Sequence, residues 1–162
     1  MKSGEERRIL PEQAALVMPS PIGKLLIAQG EYGITRVTLA QGVQESVETP
    51  LLREAQAQLE AYFAGRLRAF DLPLEEQGTA FEREVWSALR MVPYGETRTY
   101  GQIAAQVGRP KAARAVGMAN HCNPIIIITP CHRIVGAKGA LIGYALGLDV
   151  KAALLRIEGA RG

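Results

Sequence analysis

The sequence predicts a mixed α/β (α+β) protein with a small N-terminal sheet and a mainly helical C-terminal part. Two observations predict this fold class. Short apolar runs bounded by Gly and Pro fill the first part of the chain, which is typical of strands. Threonine caps followed by apolar residues at helical spacing dominate the second part, which is typical of helices. We therefore divide the 162 residues into two domains, 1–78 and 79–162.

The N-terminal domain is expected to hold three or four strands and one helix. Three strands are predicted at 14–18, 24–28 and 34–39. The helix has Thr49 as its N-cap and Pro50 at its first position, and Gly65 ends it. A fourth short strand is expected at 70–74, and the polar residues 75–78 form a linker.

Capping boxes mark the helices of the C-terminal domain. Their residue pairs are Thr79 with Glu82 and Thr99 with Gln102. The second pair opens a helix over 100–107, and Pro110 is expected to start the next helix after a tight turn. Two short helices joined in this way are typical of a helix-turn-helix. Most such pairs in proteins are ordinary helical hairpins, so the pattern alone leaves both interpretations open.

Charge is distributed unevenly between the two domains. Residues 1–78 carry 8 Lys and Arg against 11 Asp and Glu, a net charge of −3. Residues 79–162 carry 11 against 5, a net charge of +6. Cations that neutralise phosphates release condensed counterions, which suits the C-terminal domain to a polyanion. A well-solvated basic surface would give the same count, and charge alone does not decide between the two.

Composition predicts the compartment. The two cysteines, Cys122 and Cys131, cannot form a disulfide framework, which favours a reducing environment. The charged residues 1–8 do not resemble a signal peptide, and no apolar run approaches the length that spans a membrane. We therefore expect a cytoplasmic protein with no membrane contact.

The helix after Pro110 is rich in small residues, among them Ala113, Ala115 and Gly117. Small side chains let a helix backbone approach a nucleic-acid groove closely, and they are equally typical of tight helix packing. Lys111 and Arg114 supply the charge, as groups that contact phosphates and bases. A helix with so few side chains that read base edges predicts binding that is largely independent of DNA sequence.

Cys131 follows an apolar run at 125–128 that is expected to be a buried, strand-like segment. His132 and Arg133 come next, and cations beside a thiol can lower its pKa and populate the reactive thiolate. Sequence neighbours need not touch, and a lone cysteine is commonly an inert apolar residue. The two Cys and two His lack the paired spacings of a structural zinc site, so no metal site is expected.

A series of motifs runs through the C-terminal domain around Pro130-Cys131-His132-Arg133. The others are Val92-Pro-Tyr-Gly, Thr99-Tyr-Gly-Gln-Ile-Ala, Pro110-Lys-Ala-Ala-Arg-Ala-Val-Gly, Asn123-Pro, Gly143-Tyr and Leu154-Leu to Glu158-Gly. In identity, order and spacing they resemble the O6-alkylguanine-DNA alkyltransferases. The N-terminal domain resembles this family more weakly, in Pro21-Ile-Gly-Lys-Leu. The resemblance implies a ribonuclease-H-like N-terminal domain, a winged helix-turn-helix-like C-terminal domain and no cofactor.

The resemblance also implies roles for single residues. Cys131 would accept the alkyl group irreversibly, and His132 would draw off its proton through a bound water. Glu158 would orient that histidine and charge it. Asn123 would hold the active-site segment together by hydrogen bonds, and Tyr100 would assist the departure of a flipped guanine.

The remaining implied roles concern the pocket and the DNA. Backbone carbonyls of Cys131 and Ile134 would accept from the guanine amino group, and Tyr144 and Ala145 would close the alkyl pocket. Arg114 would enter the base stack from the minor groove. The expected DNA-binding residues are Arg109, Lys111, Ala113, Arg114, Ala115 and Gly117. The partner would be double-stranded DNA that contains O6-alkylguanine or O4-alkylthymine, bound by a monomer.

Three other functions were weighed against this one. A relative that binds O6-alkylguanine without repairing it would lack the acceptor cysteine, whereas Cys131 is present. A helix-turn-helix transcription regulator would need base-reading side chains on the helix after Pro110. A papain-like hydrolase would need a histidine far along the chain, whereas His132 is adjacent. Cys122 is either a second thiol near the site or a packing residue, and Leu146 stands in the pocket loop where the family commonly has glycine.

Overall fold

The computed structural model describes residues 12–42 and 45–160, which form two compact units, 12–77 and 78–160. The charged residues 1–8 lie outside the described residues. No helix in the described ranges is long and apolar enough to cross a membrane.

The N-terminal unit is an antiparallel three-stranded sheet with one helix. Its elements are β1 (Ala14–Met18), β2 (Leu25–Gln29), β3 (Ile34–Leu39) and α1 (Pro50–Phe63), and the sheet order is β1-β2-β3. Leu16 pairs with Ile27, which pairs with Val37, so three buried apolar side chains lie side by side across the sheet. Helix α1 contacts β1 and β2 and buries Leu52, Ala55, Leu59 and Tyr62, which recur at helical spacing.

Most predictions for this unit are confirmed. Thr49 caps α1 by accepting a hydrogen bond from the amide of Leu52, and Pro50 is the first helical residue. Strand β2 begins one residue later than predicted. The fourth strand is wrong, because only Leu74 forms an isolated bridge, to Ile34. Pro73 has no N–H to donate to a ladder, and both backbone groups of Asp71 bond to the side chain of Gln58.

The C-terminal unit is mainly helical. Its elements are α2 (Ala80–Arg90), β4 (Arg98–Thr99), α3 (Tyr100–Gln106), α4 (Ala113–His121), β5 (Ile134–Val135) and α5 (Leu148–Ile157). Helices α2, α3 and α4 pack on one another and bury Val85, Leu89, Ile103, Ala104 and Val116. Both predicted capping boxes are confirmed, since Thr79 and Glu82 bond reciprocally, as do Thr99 and Gln102.

The turn between α3 and α4 is longer than predicted. Helix α4 begins at Ala113 and not at Pro110. The chain from Arg109 to Ala112 instead makes a turn, closed by a hydrogen bond of 2.8 Å from the amide of Ala112 to the carbonyl of Arg109. Proline suits the second position of such a turn as well as the first turn of a helix, which explains the error.

Two features bring distant segments of this unit together. The short parallel pair β4–β5 sets Arg98 opposite Ile134 and Thr99 opposite Val135, so the start of α3 lies beside the chain that follows Cys131. Helix α5, for which the sequence analysis made no prediction, contacts the 3-10 turn Cys131–Arg133. The N-terminal end of α3, the cysteine and α5 therefore meet at one place.

Candidate active site and DNA-binding surface

Cys131 lies at the start of a 3-10 turn and is only 3% exposed. The loop before it is held by Asn123, whose Nδ2 donates to the carbonyl of Thr129 at 2.9 Å. Oδ1 of Asn123 accepts from the amide of Ile125 at 3.0 Å. One side chain thus supplies hydrogen bonds to a backbone carbonyl and a backbone amide of the loop, as a neighbouring strand of a sheet would otherwise do.

The prediction of a strand-like segment at 125–128 is wrong, although the segment is buried as expected. It is a series of turns in which Ile127 has a φ of 72°, a left-handed conformation that β-branched residues rarely adopt. Arg90 of α2 adds a further tie, since its Nη1 donates to Oγ1 of Thr129 at 2.9 Å. Strained backbone of this kind persists only where surrounding bonds determine it.

The thiol of Cys131 contacts the hydroxyl of Tyr144, with Sγ 3.5 Å from Oη. Burial raises the pKa of Cys131, while hydrogen bonds from Tyr144 and Asn123 and the charge of Lys151 act in the opposite direction. The expectation that His132 and Arg133 lower this pKa is therefore wrong. Both of those side chains are directed to Glu158, so adjacency in sequence does not place their charge on the sulfur.

His132, Arg133 and Glu158 form a buried cluster. Nε2 of His132 lies 2.7 Å from Oε2 of Glu158, and both side chains are fully buried. Burial lowers the pKa of His132 more than the neighbouring carboxylate raises it, which favours a neutral imidazole. The expectation that Glu158 charges this histidine is therefore wrong. Nε2 then donates its hydrogen to Glu158, and Nδ1 keeps a lone pair that has no hydrogen-bond partner among the described residues.

The loop that precedes α5 is fixed by two donors. Oη of Tyr100 lies 3.2 Å from the carbonyl of Ile142 and 3.4 Å from that of Gly143. Nζ of Lys151 donates to the same two carbonyls, at 3.0 and 3.3 Å. Burial lowers the pKa of Lys151 to about 8, and burial together with the nearby Cys131 raises that of Tyr100. Tyr100 and Tyr144 therefore both lie at the cysteine, from α3 and from the loop.

Helix α4 has one exposed face, formed by Arg114, Ala115, Met118 and His121. Lys111 and Arg109 in the preceding turn are also exposed, although the guanidinium of Arg109 lies over the ring of Phe81, 5.2 Å from its centroid. Ala113 and Gly117 are half-buried, and a Cβ at Gly117 would lie 3.7 Å from the ring of Tyr100. The face of α4 that meets solvent thus adjoins the face that meets the candidate site.

Known protein families match both units. Residues 16–75 match the model for 6-O-methylguanine DNA methyltransferase, ribonuclease-like domain, and residues 80–160 match the model for 6-O-methylguanine DNA methyltransferase, DNA binding domain. The chain belongs to this family. The predicted resemblance and the mixed α/β fold are both confirmed.

Individual relatives agree with the family models. A methylated-DNA–protein-cysteine methyltransferase of Methanosarcina acetivorans is 52% identical over 151 residues, covering 88% of this chain and 96% of its own. A constitutive one from Bacillus subtilis is 50% identical over 150 residues, covering 86% and 91%. The crystal structure of Mycobacterium tuberculosis OGT in complex with DNA has a TM-score of 0.83 at 46% identity, covering 90% of this chain and 92% of its own.

Two residues around Cys131, Asn120 and Lys151, were given no role from the sequence, and the partner of Arg133 was not predicted. Nδ2 of the buried Asn120 donates to the carbonyl of Cys131 at 3.3 Å. Arg133 bonds Glu158, and Lys151 is buried beneath the loop. A signal for Lys151 was available, because Lys151, Leu154, Leu155 and Glu158 follow the spacing of one helical face.

Ile134 and Ala145, the remaining residues predicted for the pocket, differ in burial. Ile134 is fully buried in β5, directly after the cysteine turn, and Ala145 is exposed in the loop after Tyr144. Among the described residues, no group of three or more His, Cys, Asp and Glu is arranged to hold a metal ion.

Proposed function

We propose that this protein repairs alkylated DNA by transferring the alkyl group from O6 of guanine, or from O4 of thymine, to its own Cys131. It acts on double-stranded DNA as a monomer and approaches from the minor groove, with little dependence on sequence. Each molecule reacts once. The membership of the chain in the 6-O-methylguanine DNA methyltransferase family supports the reaction type.

One observation carries the choice of acceptor. Cys131 is followed directly by a buried histidine that is bonded to a buried carboxylate through one ring nitrogen and keeps a lone pair on the other. A thiol needs a base to become a thiolate, and a neutral imidazole with an oriented ring is such a base. Cys122 is half-buried and the family's signature does not include it.

The chemistry is a substitution at the alkyl carbon. The Cys131 proton passes through a bound water to Nδ1 of His132, the sulfur–carbon bond forms, and the carbon–O6 bond breaks with its electron pair leaving on guanine. Guanine is a poor leaving group as an anion, so hydrogen bonding from Tyr100 lowers the barrier. In the structure the hydroxyl of Tyr100 lies at the carbonyls of Ile142 and Gly143.

The product explains the single turnover. A thioether has no carbonyl for water to attack, so the Cys-His-Glu arrangement that activates the thiol cannot release it again. The protein is therefore consumed one molecule for one lesion.

The base is recognised by backbone carbonyls near Cys131 and by the loop that precedes α5. The carbonyls of Cys131 and Ile134 accept from the guanine amino group, while Tyr144 and Ala145 close over the alkyl group. The fixed loop at 142–143 supports this closure, since two donors hold its carbonyls. Leu146 is half-buried in the same loop and limits the size of the alkyl group that fits.

A base inside a duplex is out of reach, so it must be flipped into the pocket at a cost of a few kcal/mol. Arg114 fills the space left in the stack and offsets part of that cost. The exposed face of α4 lies in the minor groove, where its small residues permit close approach, and Arg109 and Lys111 contact phosphates. Gly117 extends this face towards the ring of Tyr100, and Ala113 is half-buried at the start of the same helix.

Two measurements test the proposal. Incubation with a methylated duplex, followed by peptide mass spectrometry, should place one methyl group on the peptide that contains Cys131. Oxidation of methionines by peroxide should be slower at Met118 of α4 when DNA is bound, whereas Met91, equally exposed at the end of α2, should be unprotected. A methyl group on Cys122 would overturn the acceptor, and equal oxidation of both methionines would overturn the docking face.

A further inference from the structure

Arg133 uses all three of its guanidinium nitrogens inside the protein. Nε donates to Oε1 of Glu158 at 2.8 Å and Nη2 donates to Oε2 at 3.0 Å, which is a bidentate pair. Nη1 donates to the carbonyl of Val92 at 2.7 Å, just beyond the end of α2. The guanidinium also lies over the ring of Tyr94, 5.8 Å from its centroid. Arg133 is 6% exposed, so its charge is almost wholly removed from water.

The carboxylate of Glu158 therefore has both Arg133 and His132 among its partners. Oε2 accepts from Arg133 and also lies 2.7 Å from Nε2 of His132. The buried cluster thus holds one anion and two groups that can carry a positive charge. Burial strongly favours a cluster with no net charge, and arginine does not lose its proton in proteins. Arg133 is therefore the counter-ion of Glu158, and His132 is left neutral.

We propose that Arg133 is a positioning residue of the transfer reaction, which keeps His132 uncharged by neutralising Glu158 and so keeps Nδ1 able to accept the proton of Cys131. This inference rests on the proposed role of Cys131 and His132. It assigns to Arg133 a function distinct from lowering the pKa of the thiol, because the guanidinium is bonded to Glu158 and to Val92.

The charged groups that act on His132 agree with this role. Burial has the largest effect and lowers the pKa of His132. Glu158, the residue directly after α5, favours the protonated ring, whereas Arg133 and Lys151 oppose it. Without Arg133, the same carboxylate would have His132 as its bonded cation. The ring would then carry hydrogens on both nitrogens, and Nδ1 could no longer accept a proton.

The test is an NMR titration of the full-length protein. The chain has only two histidines, and loss of one signal in His121→Gln assigns the other to His132. In the wild type at pH 7, we expect a neutral ring with hydrogen on Nε2 alone. In Arg133→Met, the titration midpoint of His132 should rise by about one to three pH units, as for removal of a nearby like charge. Arg133→Lys retains the charge and should keep the midpoint near that of the wild type.

The transfer rate supplies a second readout. The pH at which methyl transfer falls to half its plateau should rise in Arg133→Met together with the His132 midpoint, a change that a purely structural defect would not produce. Should this variant fail to fold, Arg133→Met combined with Glu158→Gln removes both charges, and His132 should again stay neutral at pH 7.

Three results would overturn the inference: a doubly protonated His132 in the wild type at pH 7, an unchanged midpoint in folded Arg133→Met, or a charged His132 in the double variant. Each is distinguishable from failure of the proposed function. Methyl transfer to Cys131 is measured on the same wild-type sample. Transfer with a charged His132 would remove the roles of Arg133 and of His132 as the base, but would leave Cys131 as the acceptor.

Discussion

The sulfur of Cys131 is buried, so forming its thiolate costs free energy that nearby groups must offset. Tyr144, Asn123 and Lys151 all favour the charged sulfur, and yet burial outweighs them and the pKa remains raised. The resting site therefore holds a thiol beside a neutral histidine. In the proposed reaction, the Cys131 proton must therefore pass to His132, the buried base that follows it in the chain.

Replacing the acceptor should separate chemistry from binding. Cys131→Ser should show no methyl uptake, because a serine hydroxyl is a far weaker nucleophile than a thiolate at neutral pH. Affinity for unmodified duplex DNA should be unchanged, since the side chain is buried. Cys122→Ser is the matched control and should take up one methyl group per molecule. Stoichiometric uptake by Cys131→Ser would identify Cys122 as the acceptor.

The buried charge of Lys151 should lower the stability of the protein and increase the reactivity of Cys131. Its ammonium is fully buried and makes no ion pair with a carboxylate among the described residues, and its pKa falls to about 8. At pH 7, Lys151→Met should raise the free energy of unfolding by roughly 1–3 kcal/mol. The measurement is urea denaturation, in which the variant should unfold at a higher urea concentration than the wild type. Methyl transfer should be slower, because the cation that favours the Cys131 thiolate is lost.

The pH dependence follows from the direction of the shift. The folded pKa lies below the value of 10.5 for a free lysine, so between about pH 8 and 10.5 the unfolded chain binds more protons. The free energy of unfolding of the wild type therefore rises over that range, because Lys151 loses its buried charge. The difference in free energy of unfolding between Lys151→Met and the wild type should become smaller there. Lys24→Met, at an exposed lysine, should show neither effect. A constant difference from pH 7 to pH 10 would contradict this account.

At the scale of elements, the sequence predicts those helices whose N-cap and apolar spacing can be recognised within one short stretch of the chain. The capped starts of α1, α2 and α3 are such cases. The run at 125–128 was wrongly assigned because an apolar stretch indicates burial but not conformation, and the side chain of Asn123 allows a loop where a strand was expected. Lys151 was missed because lysines are rarely buried. Glu158 was assigned to the site by family resemblance. Only the structure shows that the guanidinium of Arg133 is directed to Glu158.

Helix α4 should contribute to flipping through Arg114. This long side chain is exposed on a helix whose other exposed residues are Ala115, Met118 and His121. Arg114→Ala should slow repair of a methylated duplex by about tenfold or more, since unstacking a base costs a few kcal/mol. Reaction with the free O6-methylguanine base should change by less than about twofold, because nothing is flipped.

The comparison is made by single-turnover rates on both substrates. Arg83→Ala, at an exposed arginine of α2, is the matched control and should leave both rates unchanged. Equal losses on duplex and free base would mean that Arg114 supports the fold of the site rather than the extrusion of the base.

At the scale of the whole molecule, charge is segregated along the chain. The N-terminal half carries −3 and the C-terminal half +6. Residues 80–160 also match the family's DNA binding domain. Both observations indicate that the C-terminal half attracts the phosphates of DNA. The sequence pattern therefore predicts which part of the chain meets DNA, although only the structure shows which residues of α4 are exposed.

Binding to DNA should depend strongly on salt and weakly on base sequence. Phosphate contacts carry no sequence information, and each one lost reduces the log–log slope of affinity against salt by about 0.9 for duplex DNA. Lys111→Ala should lower affinity similarly on unrelated duplexes and reduce the slope by that amount, whereas Lys24→Ala, an exposed lysine in the N-terminal half, should do neither. The measurement is a titration of several unmodified duplexes at two salt concentrations. One duplex that binds orders of magnitude more tightly than the others would indicate base reading by α4, which its small side chains do not provide.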